Sequence, residues 1–116
     1  DDLQAFLSSH QTSIAQLAVQ YCNALVNDTS ARAAYFPGLV FTNDVSAQQN
    51  VLIDPLIDRV RANVDSQPAD VDMRTELQNL VTELCTGGSC SSGARTPTVV
   101  KAVCGAALGS AAMLVQ

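Results

Sequence analysis

The chain has 116 residues, 47% of them hydrophobic, which suits one domain with a substantial core. Aromatics are only 4% and Trp is absent, so that core is built from Leu, Val, Ile and Ala, which favours close helix packing over a sheet sandwich. A net charge of −5 and a pI near 4.4 argue against nucleic acid and anionic membranes as partners. Charged residues make up 15%, below the roughly 25% of typical domains, so either an assembly hides much surface or the surface is polar, uncharged and extracellular.

A helix is predicted over 2–27. Leu3, Phe6, Leu7, Ile14, Leu17, Ala18, Tyr21, Cys22, Leu25 and Val26 recur there at helical spacing. Ser8, Ser9, Gln11, Thr12, Ser13, Gln16, Gln20 and Asn23 fill most of the other face almost without charge, which suits an interface or an extracellular surface. Asn27-Asp28-Thr29 breaks the helix and offers a new N-cap. A short helix over 29–36 follows, stopped by Pro37-Gly38, with Tyr35 and Phe36 expected to fold back onto the first helix. Residues 39–43 read as an irregular crossing.

Asp44 or Ser46 can cap a second main helix reaching about Val64, with Val51, Leu52, Leu56, Ile57, Val60 and Val64 as its apolar stripe. Pro55 lies inside that stripe, where it removes a backbone donor and clashes with the preceding turn. Either the helix kinks, or it breaks with Asp54 as N-cap and Pro55 at the first helical position; the break is the preferred expectation. Residues 65–69 read as a polar loop ending in Pro68. Asp70 caps a third helix, Asp72 suits the dipole of its first turn, and Met73, Leu77, Leu80, Val81 and Leu84 face inward.

A turn-rich stretch, CTGGSCSSGA over 85–94, leads to the last helix, TPTVVKAVCGAALGSAAMLVQ, with Thr96 as cap and Pro97 at its first position. It has no charge after Lys101, and a helix apolar on nearly every face must be surrounded by other elements. The expected fold is therefore all-α: a disulfide-braced bundle of four main helices and one short one, the C-terminal helix central, in a single domain over 1–116. Ala102, Gly105, Ala106, Gly109 and Ser110 place small residues along that helix, which lets the first helix approach closely. The charge-free run is shorter than the ~20 residues that span a bilayer, so no membrane span is expected.

The chain starts at Asp1 without an initiator Met and carries four cysteines; a processed secreted chain, or a piece of a longer one, is expected, with disulfides. Cys85 and Cys90 enclose Gly87-Gly88, and glycine lets so short a loop close. That leaves Cys22 and Cys104, each on the apolar face of its helix, for a cross-link through the core. Four cysteines allow three pairings, and sequence alone selects none of them. The spacing is not C-x-x-C, so neither a thioredoxin-type pair nor a zinc ribbon is indicated.

The remaining chemistry-bearing residues read as structural. His10 is the only histidine, without a haem-attachment motif or a G-x-S-x-G nucleophile elbow to work with, and a bond to a backbone carbonyl accounts for it. Asp70 and Asp72 form a D-x-D pair without the further ligands of a calcium loop. Asp54 and Asp58 lie one helical turn apart, yet paired-acid glycosidases bring aromatic platforms that this chain lacks. Capping and solubility explain these acids, so no catalytic, cofactor or metal site is expected. Asn27-Asp28-Thr29 also fits a glycosylation sequon, a pattern common by chance.

Taken together, FLSSHQTSIAQLAVQYCNALV, ARAAYFPG, NVLIDPLIDRV, CTGGSC and TPTVVKAVCGAALGSAAMLVQ resemble a helical, cysteine-bearing region of large secreted proteins from marine and related bacteria. Those proteins often carry laminin-G-like or cadherin-like modules elsewhere. The resemblance covers nearly the whole sequence. It implies an extracellular, all-helical module of a surface-associated protein, with further helices of a longer chain ahead of Asp1, and it transfers no catalytic residue. The functional expectation is a non-enzymatic structural or interaction module that assembles with itself, as a homo-oligomer or filament, or with other modules of a larger surface protein. The alternative is a small secreted carrier with an apolar cavity between its helices.

Overall fold

The computed structural model describes residues 2–63 and 70–114, with side chains over 13–61 and 72–110. Among these residues the chain is all-helical and has no strand. The elements run α1 (Asp2–Asn27), α2 (Thr29–Tyr35), a 3-10 turn (Val45–Ala47), α3 (Gln49–Asn63), α4 (Asp70–Leu84), a second 3-10 turn (Thr86–Gly88) and α5 (Thr96–Leu114). Val64 and the 65–69 loop, to which the sequence assigns a helix end and a polar turn, lie outside the described residues.

The dominant packing is α1 against α5, antiparallel; α5 also touches α3 and α4. The contact is close because its residues are small: a Cβ on Gly105 would stand 3.4 Å from Val19 Cγ2, and one on Gly109 would stand 3.6 Å from Ala18 Cβ. Gly105 and Gly109 therefore form the surface that meets α1. Ala102, Ala106 and Ser110 belong to another strip of α5 and are exposed. On its buried faces α5 contributes Val99, Val100, Val103 and Cys104, all fully covered, to a core shared with Val26, Leu52, Ile53, Leu56 and Val81. Removing each such aliphatic side chain from water stabilises the fold by roughly 1.5–3 kcal/mol before entropy is counted.

Three expectations need correction. First, α3 does not break at Pro55; it runs unbroken from Gln49 to Asn63 with Pro55 inside. Proline in a helix interior costs about 3 kcal/mol. An uninterrupted helix keeps Leu52, Ile53, Leu56, Ile57 and Val60 in one register, every one of them buried, and that burial outweighs the lost bond. Second, Asp44 caps the 3-10 turn and not α3: its Oδ1 accepts from the Ser46 amide at 2.8 Å and from Ser46 Oγ at 2.6 Å. Third, the Thr96 hydroxyl does not cap its own helix. It donates to the Asn43 carbonyl at 2.6 Å, and Thr96 is fully buried.

That last bond ties the 39–47 crossing to the start of α5. Gly93 completes the junction. Its φ is +79°, and an added Cβ would collide with the Thr42 carbonyl. Gln48 holds the crossing from the other side: Val40 N–H donates to Oε1 at 2.8 Å, and Nε2 donates to the Val40 carbonyl at 3.0 Å.

Arginines finish the helix ends. Arg32 Nη1 donates to the Val26 carbonyl in the last turn of α1 at 3.2 Å, and Arg95 Nε donates to the Leu84 carbonyl at the end of α4 at 3.0 Å. At the other kind of terminus, Asp28 Oδ1 accepts from the Ser30 and Ala31 amides at 3.0 Å and so caps α2, which lets the chain turn directly from α1 into α2.

Candidate functional site

All four cysteines are bonded, Cys22 to Cys104 and Cys85 to Cys90. The first joins the buried faces of α1 and α5 with the two Cα atoms 5.9 Å apart; the second closes the glycine turn after α4 with its Cα atoms 5.1 Å apart. A cystine sulfur is neither a thiolate nucleophile nor a thiolate metal ligand, so in this state the four side chains brace the fold.

Asp54 and Asp58 line one surface recess with Tyr35 and Arg59, whereas Asp72 lines the separate space between α4 and α5. Asp54 Oδ1 pairs with Arg74 Nη2 at 2.6 Å, a bond between α3 and α4 that is largely exposed and therefore adds little stability. Asp58 is exposed on α3, and Asp72 is exposed on the first turn of α4. The side chains of His10 and Asp70 lie outside the described residues. Among the described residues no three His, Cys, Asp or Glu groups gather as metal ligands would, and no helix is long and apolar enough to cross a membrane. The sequon residues Asn27, Asp28 and Thr29 are exposed at the corner between α1 and α2.

The arrangement does offer two surfaces. One is α1 itself. The apolar stripe read from its sequence is wider than the arc that α5 covers. Cys22, Val26 and Ala18 are buried, but Leu17 is 66% exposed, Tyr21 51% and Val19 57%. From Leu3 to Asn27 the helix carries no Asp, Glu, Lys or Arg. An exposed Leu and Tyr one turn apart on an uncharged helix form an apolar patch in polar, neutral surroundings. The sequence reading placed both residues in the buried stripe. The signal that could have placed them outside is the small-residue row of α5, which narrows the arc that can touch α1.

The other surface is a groove of about 520 Å³ between α4 and α5, partly open to solvent. Met73, Leu77 and Leu80 of α4 and Ala106 and Ala107 of α5 form its floor. Asp72, Glu76, Asn79 and Glu83, one helical row of α4, form one rim, and Ser110 stands on α5.

Tyr35 is buried against Phe36 with ring centroids 4.8 Å apart, and the Arg59 guanidinium lies 4.2 Å from its ring centre. Burial raises its pKa above the ordinary 10.0; the charge of Arg59 opposes that rise and Tyr21 adds to it. A phenol held in its protonated form is not poised to act as a base at neutral pH.

No protein-family model, curated protein or solved structure matches this chain.

Proposed function

We infer that this protein is a non-enzymatic extracellular module that assembles with a second copy of itself through the uncharged face of α1. In this reading α5 is the central member of the bundle, stapled to α1 so that α1 presents a rigid outer face. The observation that carries the proposal is the exposure of Leu17 and Tyr21, one turn apart, on a helix without a charged side chain from Leu3 to Asn27. A chain of net charge −5 repels its own copy over most of its surface, but two α1 faces can meet without like-charge contact. A helix of 26 residues offers a contact line of about 39 Å, and tyrosine is enriched in such interfaces.

Pairing of the same patch on two subunits closes a two-fold dimer; a filament needs a second, different contact. Secretion and attachment to the cell surface are part of the same proposal, supported by the disulfides, the low charge and the resemblance to modules of secreted bacterial surface proteins. Light scattering over a concentration series tests the assembly, with negative-stain electron microscopy to separate dimers from fibres. A chain that stays monomeric at millimolar concentration would end this reading.

The alternative, a small secreted carrier, draws its support from the α4–α5 groove. A lipid that co-purifies in native mass spectrometry and is displaced by groove substitutions would favour it. The groove is open, whereas carriers enclose most of their ligand, so assembly is the stronger reading.

A further inference from the structure

We propose that the α4–α5 groove docks a basic amphipathic helix from a different protein. The groove follows α4 from Asp72 to Glu83, about 16 Å or three turns, which suits a rod lying along it better than a compact molecule. Its floor is apolar. On the α5 side the exposed lining residues are Ala106 and Ser110, small enough for a third helix backbone to come close. Asp72, Glu76 and Glu83 recur along one edge, interrupted only by the neutral Asn79, so the edge is negative at both ends. A helix that puts its apolar stripe on the floor would place its flanking residues against these carboxylates, and Lys or Arg there completes the contact.

A second copy of this chain does not supply that helix. Its cations number six, and they do not form a stripe along one helix. Arg32 lies over Phe41 at 4.3 Å and Arg59 over Tyr35, Arg74 holds Asp54, and Arg95 holds the end of α4. The α1 helix that would pair two copies carries no Lys or Arg at all. The groove and the α1 patch are thus separate contacts, and this inference does not depend on self-assembly.

The test is a fluorescence-anisotropy titration with two synthetic peptides of about 18 residues, leucines at helical spacing flanked by lysines in one and by glutamates in the other. The lysine peptide is expected to bind, more weakly as salt rises, and the glutamate peptide is not. Ala106→Trp fills the groove without altering charge and should weaken binding by about tenfold or more; Glu76→Lys with Glu83→Lys should do the same by reversing the rim. Far-UV circular dichroism checks that each variant is folded. A photo-cross-linker on the lysine peptide gives a readout on the unaltered chain, with adducts expected within 72–83 and 102–110. Equal binding of both peptides, a folded Ala106→Trp that binds like the parent, or adducts elsewhere would overturn the proposal. So would a groove that takes dodecylamine but neither peptide, which is the carrier outcome.

Discussion

Thr96 shows what one residue can do across the chain. Its position ahead of Pro97 reads as a helix cap, yet its hydroxyl reaches the Asn43 carbonyl across a sequence separation of 53. Local pattern cannot reveal a partner that distant, which is why this junction is illegible in the sequence while the Asp28 cap, bonded within three residues, is plain. Thr96→Val keeps the shape and removes the donor. It should cost about 0.5–1.5 kcal/mol by urea denaturation, the net contribution of one such hydrogen bond, because Asn43 itself is exposed. Tyr35 makes a second prediction. Its folded pKa lies above 10.0, raised by burial against the opposing charge of Arg59. Below pH 10.0 the phenol is protonated in both states and the full stability is present; as pH rises past that value the unfolded chain ionises first and stability falls until the folded pKa is passed. Urea midpoints measured from about pH 8 to about pH 11 should decline less steeply in Tyr35→Phe than in the parent.

At the scale of elements, legibility follows the range of the forces. Helical periodicity and the paucity of aromatics point to an all-α chain, and Pro37-Gly38 and Pro97 mark element ends because those residues act on their own backbone. Pro55 misleads for the same reason: its local penalty is real, but the register of Leu52, Leu56 and Val60 against α5 and α4 is a tertiary effect that overrides it. The width of the buried arc on α1 is likewise set by its neighbour, so Leu17 and Tyr21 could not be assigned from α1 alone. The disulfides differ in what they constrain. The cysteines of the α1–α5 bond are 82 residues apart in sequence and those of the turn bond 5. In the chain-entropy model these loops correspond to roughly 4.5 and 2 kcal/mol. Cys22→Ala with Cys104→Ala should lower the urea unfolding free energy by at least twice as much as Cys85→Ala with Cys90→Ala. Equal losses would mean that the α1–α5 bond contributes no more than the turn closure.

For the whole molecule, fold and function part company. The fold is legible because helical periodicity and a low aromatic content leave few architectures open, although the core also takes in Tyr35, Phe36 and Phe41 beside its Leu, Val and Ile. The surfaces are less so, because exposure depends on how the bundle closes. Absence of charge along α1 is visible in the sequence, whereas the apolar patch within it emerges only once α5 covers Cys22 and Val26 and leaves Leu17 and Tyr21 outside. The acidic row of α4 is legible as a helical stripe, but the groove beside it exists only because small residues of α5 stand opposite.

Sedimentation velocity across a hundredfold concentration range, on the parent chain and on Leu17→Glu, tests that account most directly. The parent should sediment faster as concentration rises, and Leu17→Glu, a charge placed in the middle of the neutral face, should hold it at the monomer. A parent that never leaves the monomer, or a Leu17→Glu variant that associates as strongly as the parent, would contradict it.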